Sequence, residues 1–208
     1  ISNYMENVNI KINETPCIDY FDLFEVLDMK TNEIKHTAIL SWLFDYKESH
    51  GVESTILKSF LEELFEDEYN SQRIGLLPEQ IQLEDYKILR ELNTFKGIFD
   101  LLIVSEKTKT VILIENKITA PAGKDQLDRY KSFLEEYYPN FSRILIFLTL
   151  KNTDPRTDGY LKANYGMLYH VLRKNLGHFE TEELRNFIEQ YMHLLRDLDS
   201  TFNQKGKK

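Results

Sequence analysis

Residues 99–117, FDLLIVSEKTKTVILIENK, constrain the fold more than any other stretch. Two apolar runs, 99–104 and 111–114, flank a polar, charged break at 105–110. Short β-branched runs around such a break read as a β-hairpin. With the turn centred on Lys107 and Thr108, residues whose numbers sum to 215 face each other, which sets Asp100 across from Glu115. Side chains alternate along a strand, so Glu115 and Lys117 share a face. Two acids and a lysine therefore converge at one end of an otherwise apolar hairpin. Burying such charges unpaired is costly. They must hold a metal ion, pair with one another or face a cleft.

The rest of the chain supplies layers for this hairpin. Residues 18–29 carry apolar side chains at helical spacing. Thr31 or Asn32 can cap a second helix running from Glu33 to about Tyr46. His50-Gly51 marks a turn, and a third helix spans roughly 53–68. Residues 73–78 read as loop or a short edge strand, and 87–92 as the strand before the hairpin. Pro121 and Gly123 punctuate a loop, followed by a helix over about 124–137 that stops before Pro139. Residues 143–150, RILIFLTL, read as a strand buried on both faces. Residues 151–164 read as a long loop, 167–172 as a further strand and 182–198 as an amphipathic helix. The ends, 1–17 and the Lys-rich stretch after Thr201, read as loosely attached or frayed. Strands crossed by a helix make a layered α/β domain, here a single one over 1–208 with its core at about 33–150.

Composition narrows the class. A hydrophobic fraction of 42% over 208 residues suits a globular domain with a real core. One cysteine, Cys17, excludes an internal disulfide framework and a cysteine-based zinc site, and fits a reducing, cytoplasmic setting. No run approaches the ~18 apolar residues of a membrane span, and no signal peptide is visible. The sequence does not begin with methionine, so native ends can be missing. The net charge of 26 − 34 = −8 weighs against a nucleic-acid binder, but its distribution does not. Residues 1–68 hold 5 basic and 15 acidic groups, whereas 86–174 hold 15 basic and 10 acidic. The half with the hairpin can present a positive groove to phosphates.

The arrangement D-(x14)-E-x-K behind a hydrophobic strand resembles the PD-(D/E)XK nuclease superfamily. The motif stands as Phe99-Asp100 and Glu115-Asn116-Lys117, with phenylalanine where proline would precede the acid. The resemblance implies a restriction-endonuclease-like fold: an αβββαβ core with a mixed central sheet and extra helices at both ends. It also implies hydrolysis of phosphodiester bonds. Asp100, Glu115 and the Asn116 carbonyl would ligate Mg²⁺, with Mn²⁺ as a substitute, since hard cations take oxygen ligands. Bound metal polarises the phosphate and lowers the pKa of water. Lys117 would position that water or stabilise charge in the transition state. The bland alternative is a cross-strand salt-bridge cluster at a sheet end.

Three further residues belong with this set. Gln126-x-x-x-Tyr130 begins nine residues beyond Lys117 and looks like the QxxxY motif of the RecB and phage-exonuclease branch, where both side chains touch substrate or organise the metal site. Positions i and i+4 share a helix face. A surface glutamine and a half-buried tyrosine are the alternative. Glu33, opening E-x-x-H-T-A-I-L-S-W-L-F-D, matches an acid that reaches the metal from the first core helix in related nucleases. A first-turn acid favoured by the helix dipole is its alternative. His36 and His50 read as structural hydrogen bonders, and Glu91 as a surface or paired acid. No glycine-rich phosphate loop and no G-x-S-x-G appear.

The first functional reading is therefore a metal-dependent nuclease, with DNA preferred on family habit and bacterial DNA processing or defence as the implied setting. The rival is a catalytically silent nuclease-like module that binds or regulates through a protein partner, using the acidic first third. A homodimer is compatible with either, as is a fragment of a larger enzyme.

Overall fold

The computed structural model describes residues 21–73, 81, 83–119, 122–123 and 125–198. Expectations for 1–20, 74–78, Pro121, Lys124 and the tail after 198, with Cys17, lie outside the described residues.

The apolar hairpin sits in a five-stranded sheet of order β1-β2-β3-β4-β5. The strands are β1 Lys87–Thr94, β2 Gly97–Ser105, β3 Thr110–Lys117, β4 Ser142–Thr149 and β5 Tyr160–Asn164. β1, β2 and β3 form an antiparallel meander, and β4 and β5 add parallel to β3. The β2–β3 pairing runs from Leu101↔Ile114 to Ser105↔Thr110, each pair summing to 215 as the hairpin requires. β3 is buried over nearly its whole length, the mark of a central strand covered on both faces.

Helices supply the two covers. Before the sheet come α1 Leu23–Val26, α2 Glu33–Phe44, α3 Thr55–Glu66 and α4 Glu68–Ser71. α5 Gln126–Tyr137 crosses from β3 to β4, and α6 Tyr165–Asn175 and α7 Glu182–Leu198 close the described chain. Leu101, Ile103, Ile112, Ile114, Ile144 and Ile146 pack with α2, α3, α6 and α7. The alternate residues Leu102, Val111, Leu113, Leu145 and Phe147 pack with Leu127, Tyr130 and Leu134 of α5. This is the mixed α/β architecture of the restriction-endonuclease-like fold.

The strict alternation slips at one place. Phe99 packs on the α5 side together with Leu102, while Leu101 and Ile103 face the other way. Across the pair, Ile88 packs on the four-helix side and Leu92 on the α5 side. Glu91, between them, has a left-handed φ of 51°. Both strands therefore slip by one residue together, at Glu91 and Asp100, and the register on either side is unchanged. Asp100 leaves the regular pleat at the point where it reaches for its neighbours.

Several elements differ from the sequence reading. The first helix, read over 18–29, is one turn among the described residues, because Asp22 caps Phe24 and Glu25 and Asp28 turns left-handed at φ 49°. The 167–172 strand is instead the middle of α6, capped by the Asn164 side chain at the Met167 N–H. Its buried Met167, Leu168, Val171 and Leu172 recur at i, i+1, i+4 and i+5, which is helical spacing. The end of the supposed 151–164 loop is β5, where Tyr160, Leu161 and Ala163 are buried. The remaining segments agree with the reading to within a turn, and α7 has the same bounds.

Candidate active site

The converging charges lie at the open ends of β2 and β3. Lys117 Nζ stands 2.8 Å from Glu115 Oε1, 3.5 Å from Glu33 Oε2 and 3.7 Å from Asp100 Oδ2. It also donates to the Asn116 carbonyl at 3.1 Å. Side-chain exposure falls from 27% at Glu33 to 17% at Asp100, 14% at Lys117 and 0% at Glu115. The group is a funnel that deepens from Glu33 to Glu115.

Each acid is held by a separate device. α2 begins at Glu33, with Asn32 as its cap, and Glu33 Oε1 accepts from the Ile118 and Thr119 N–H groups at 2.9 and 3.3 Å. Asp100 Oδ2 accepts the Asn116 N–H at 2.7 Å, where the β2–β3 backbone ladder has stopped. Glu115 Oε1 accepts Gln126 Nε2 at 2.6 Å. Asn116 points its side chain away from the acids. It donates to Thr37 Oγ1 at 3.1 Å and accepts the Tyr165 hydroxyl at 2.7 Å. Its carbonyl, not its amide, faces Lys117. Thr37 and Tyr165 thus lock the strand end to α2 and α6. The sequence reading missed both, because neither carries a motif.

Gln126 and Tyr130 occupy one face of α5. The Gly123 N–H donates to Gln126 Oε1 at 2.9 Å, which settles the amide orientation and turns Nε2 toward Glu115 and Tyr130 Oη. Tyr130 is buried behind Gln126, with its hydroxyl donating to the Ile98 carbonyl at 2.6 Å. Its ring lies against Phe99 and against Gly97, where an added Cβ would sit 2.9 Å from the ring. Gly97 has φ +135°, so glycine is demanded twice over.

Electrostatics follow from the depth. Burial raises the Glu115 pKa, Asp100 raises it further, and the value reaches about 8 against the pull of Lys117. Burial likewise raises Asp100, despite Lys117 and the Asn116 N–H. For Lys117, burial opposes the charge but Glu115 and Asp100 outweigh it, so its pKa lies above the ordinary lysine value. Glu115 Oε2 is buried with no donor beside it, and the Glu115 and Asp100 carboxyls lie within hydrogen-bonding reach of each other once one of them is protonated. A bare carboxylate oxygen in that position takes a proton or a cation.

An all-oxygen set of Asp100, Glu115 and the Asn116 carbonyl suits a hard divalent cation, and the orphaned Glu115 Oε2 fits one. Among the described residues no preformed cage of three or more His, Cys, Asp or Glu occurs. The Lys117 ammonium stands among these oxygens instead. Glu91 is half-buried rather than exposed and forms no ion pair among the described residues. Burial and the Asp100 charge raise its pKa. His36 bonds Tyr191 and Lys30, and burial lowers its pKa. His50 Nδ1 accepts the Val52 N–H, so its Nε2 carries the proton and donates to the Asp45 carbonyl. Both histidines are structural.

A mixed sheet between helical layers, with acids and a lysine at the splayed end of an antiparallel pair, defines the restriction-endonuclease-like class. The family model of the PD-(D/E)XK nuclease superfamily matches residues 21–197, and the chain belongs to that superfamily. Membership implies phosphodiester-hydrolysing nuclease activity and binding of nucleic acid. No curated protein and no solved structure matches the chain. Among the described residues no helix is long and apolar enough to cross a membrane.

Proposed function

We propose that the protein is a Mg²⁺-dependent deoxyribonuclease, with Mn²⁺ able to substitute. The observation that carries this reading is the funnel around Lys117, with Glu115 Oε2 bare at its base. A buried carboxylate oxygen of this kind takes a proton or a cation, and the carboxylates and the Asn116 carbonyl gathered around it are the oxygen ligands a hard cation uses.

In this reading Asp100, Glu115 and the Asn116 carbonyl hold the cation, with Glu33 beside them. When bound, it supplies positive charge for the phosphate oxygens and lowers the pKa of water. The chain's own groups do the rest. Lys117, kept charged by its acids, donates to the attacking water or to a phosphate oxygen as charge builds there. Gln126 fixes Glu115 Oε1 and leaves Oε2 free. Tyr130 fixes Gln126 and acts as a positioning residue. Hydrolysis joins the water oxygen to phosphorus and breaks one phosphoester bond. Asn116 and its locks on Thr37 and Tyr165 keep the strand end from shifting as charge redistributes.

The test is calorimetric titration of Mn²⁺ into wild type and Glu115→Gln at pH 8. Wild type binds one or more ions with proton release, since Glu115 must give up a proton held to about pH 8. Glu115→Gln loses that binding. Equal binding by both proteins would place the ion elsewhere. No heat from either would leave a salt-bridge cluster and favour a module without catalysis.

A further inference from the structure

Among the described residues, seven other than glycine hold a left-handed backbone. Six of them, Lys109 included, lie in turns and loops, where that conformation is common. The seventh is Glu91, at φ 51° in the middle of strand β1. Left-handed backbone crowds Cβ against the following carbonyl oxygen, and outside glycine it persists only where the surroundings enforce it. The Glu91 side chain does not enforce it. Its carboxylate accepts no hydrogen bond and forms no ion pair among the described residues.

The strand pair shows what the bend does. Arg90 pairs with Leu101 and Leu92 with Phe99, and between them Glu91 and Asp100 drop out of the ladder together. Phe99 is fully buried on the α5 side, with the Tyr130 and Phe133 rings 4.5 and 4.9 Å away. Leu101 is buried under the helices of the other face. Two residues apart, they would share a face in a regular strand. The slip buries each on its own side and leaves Asp100 between the faces. A residue in the regular pleat projects its side chain away from the sheet. Asp100 instead reaches along the sheet to β3, where Oδ2 accepts the Asn116 N–H at 2.7 Å, beyond the last backbone pair, Leu101↔Ile114. Lys117 Nζ lies 3.7 Å from the same oxygen.

We propose that Glu91 is a positioning residue, whose left-handed backbone lets β1 follow β2 through the change of face and so aims the Asp100 carboxylate at Asn116 and Lys117. This rests on the nuclease reading above and adds to it a residue that touches none of the reacting groups. With Glu91 extended, β1 keeps the regular pleat and its pairing imposes the same on β2. Asp100 then stands off the sheet, out of line with the Asn116 N–H, and Phe99 turns away from α5. The backbone angle matters here and the carboxylate does not. Glycine adopts the left-handed region freely, whereas a β-branched residue is an outlier there.

The test compares Glu91→Val and Glu91→Gly with Lys109→Val, whose site has the same φ of 51° in the turn at the far end of the hairpin. Two quantities are measured. Hydrogen exchange of the Asn116 amide, by NMR in chelator, reports where Asp100 stands with no metal and no turnover. Single-turnover cleavage of labelled DNA in Mn²⁺ reports the centre. Glu91→Val lowers Asn116 protection on the order of tenfold, the loss of a hydrogen bond to a charged group. It slows cleavage by about 10²-fold, the cost of a small misplacement at a reacting centre. Glu91→Gly, the conservative change for the backbone, restores both. Lys109→Val lowers the melting temperature as Glu91→Val does, yet keeps Asn116 protection and rate. Glu91→Thr, β-branched but polar, takes the place of Glu91→Val if that protein does not fold. Wild-type Asn116 protection in the β-branched variant overturns the proposal. So does a Glu91→Gly that loses protection or rate, since the carboxylate would then be the working group. If Asn116 responds as expected but wild type cuts nothing in Mg²⁺ or Mn²⁺, the positioning role stands and the nuclease reading falls.

Discussion

The two ends of one hairpin carry the same kinds of residue and put them to opposite uses. At the turn, Lys109 pairs with Glu106 at 2.9 Å, and both are more than half exposed. Lys107 pairs with Glu84, also in the open. At the other end, Lys117 meets Glu115, Asp100 and Glu33 in a funnel that closes to full burial. Water screens the first set, so it contributes little to stability. The second set gives up most of its solvent, and its attraction must offset that loss. The difference comes from position: Glu106, Lys107 and Lys109 lie in the exposed turn before β3, whereas Glu115 lies within β3, which is buried from Thr110 to Asn116. A charge is decorative at one end and constrained at the other.

The largest effect that separates the two ends concerns rate. Lys117→Ala lowers DNA cleavage by about 10²–10³-fold, the usual cost of removing a preorganised charge that acts on the transition state. Lys109→Ala leaves cleavage unchanged. Single-turnover rates on one labelled substrate measure both. Similar losses from the two variants would erase the contrast.

Next comes pH. Glu115 is protonated more readily in the native state than in the unfolded chain. Native protein without metal then binds the extra proton between the ordinary carboxyl value near 4.5 and about 8. Its stability is greatest below that window and is lost as pH rises through it. Asp100, also raised, adds to the same slope. Lys117 contributes evenly across the window, because its raised pKa lies far above it. Thermal melts from pH 4 to about pH 9 show the decline in wild type and a shallower one in Glu115→Gln, which is the more stable protein at the alkaline end. Mn²⁺ removes the decline. A wild type whose stability rises through the window would contradict the burial of Glu115.

Much of this was legible in the sequence, and the reason is physical. The hairpin register is set by apolar runs on both faces, and one slip would bury Glu106 or Lys109. Hence Asp100, Glu115 and Lys117 could be grouped from spacing alone, whereas Gln126 and Tyr130 joined them through the resemblance of their Q-x-x-x-Y spacing to a known motif. Other features were hidden. The double slip at Glu91 and Asp100 keeps the register sum constant, so spacing cannot reveal it. Residues 167–172 are a short, mostly apolar run of strand length, and the i, i+1, i+4, i+5 spacing of Met167, Leu168, Val171 and Leu172 marks them as helix. β5 is five residues long, buries Tyr160, Leu161 and Ala163 without strict alternation, and follows a stretch of loop-forming residues. Thr37 and Tyr165 act through Asn116 from distant parts of the chain, which only the fold brings together.

Two smaller predictions probe how the α5 side supports the buried end. Gly97→Ala forces a Cβ against the Tyr130 ring at a φ of +135°. It costs about 1–3 kcal/mol in denaturant melts and slows cleavage, because Tyr130 carries Gln126 with it. Tyr130→Phe removes the bond to Ile98 and the acceptor for Gln126. It costs roughly 1 kcal/mol and lowers kcat more than it raises KM. An effect on KM alone would make Tyr130 a substrate contact instead.

The central claim is that the buried end of the hairpin is a metal-dependent nuclease centre, and cleavage tests it most directly. Purified protein is incubated with labelled single-stranded and duplex DNA in Mg²⁺ or Mn²⁺, with and without chelator, beside Lys117→Ala. The account predicts cutting by wild type in either metal, none in chelator, and a loss of at least two orders of magnitude in the variant. Cutting that persists in chelator, or that Lys117→Ala retains in full, would contradict it.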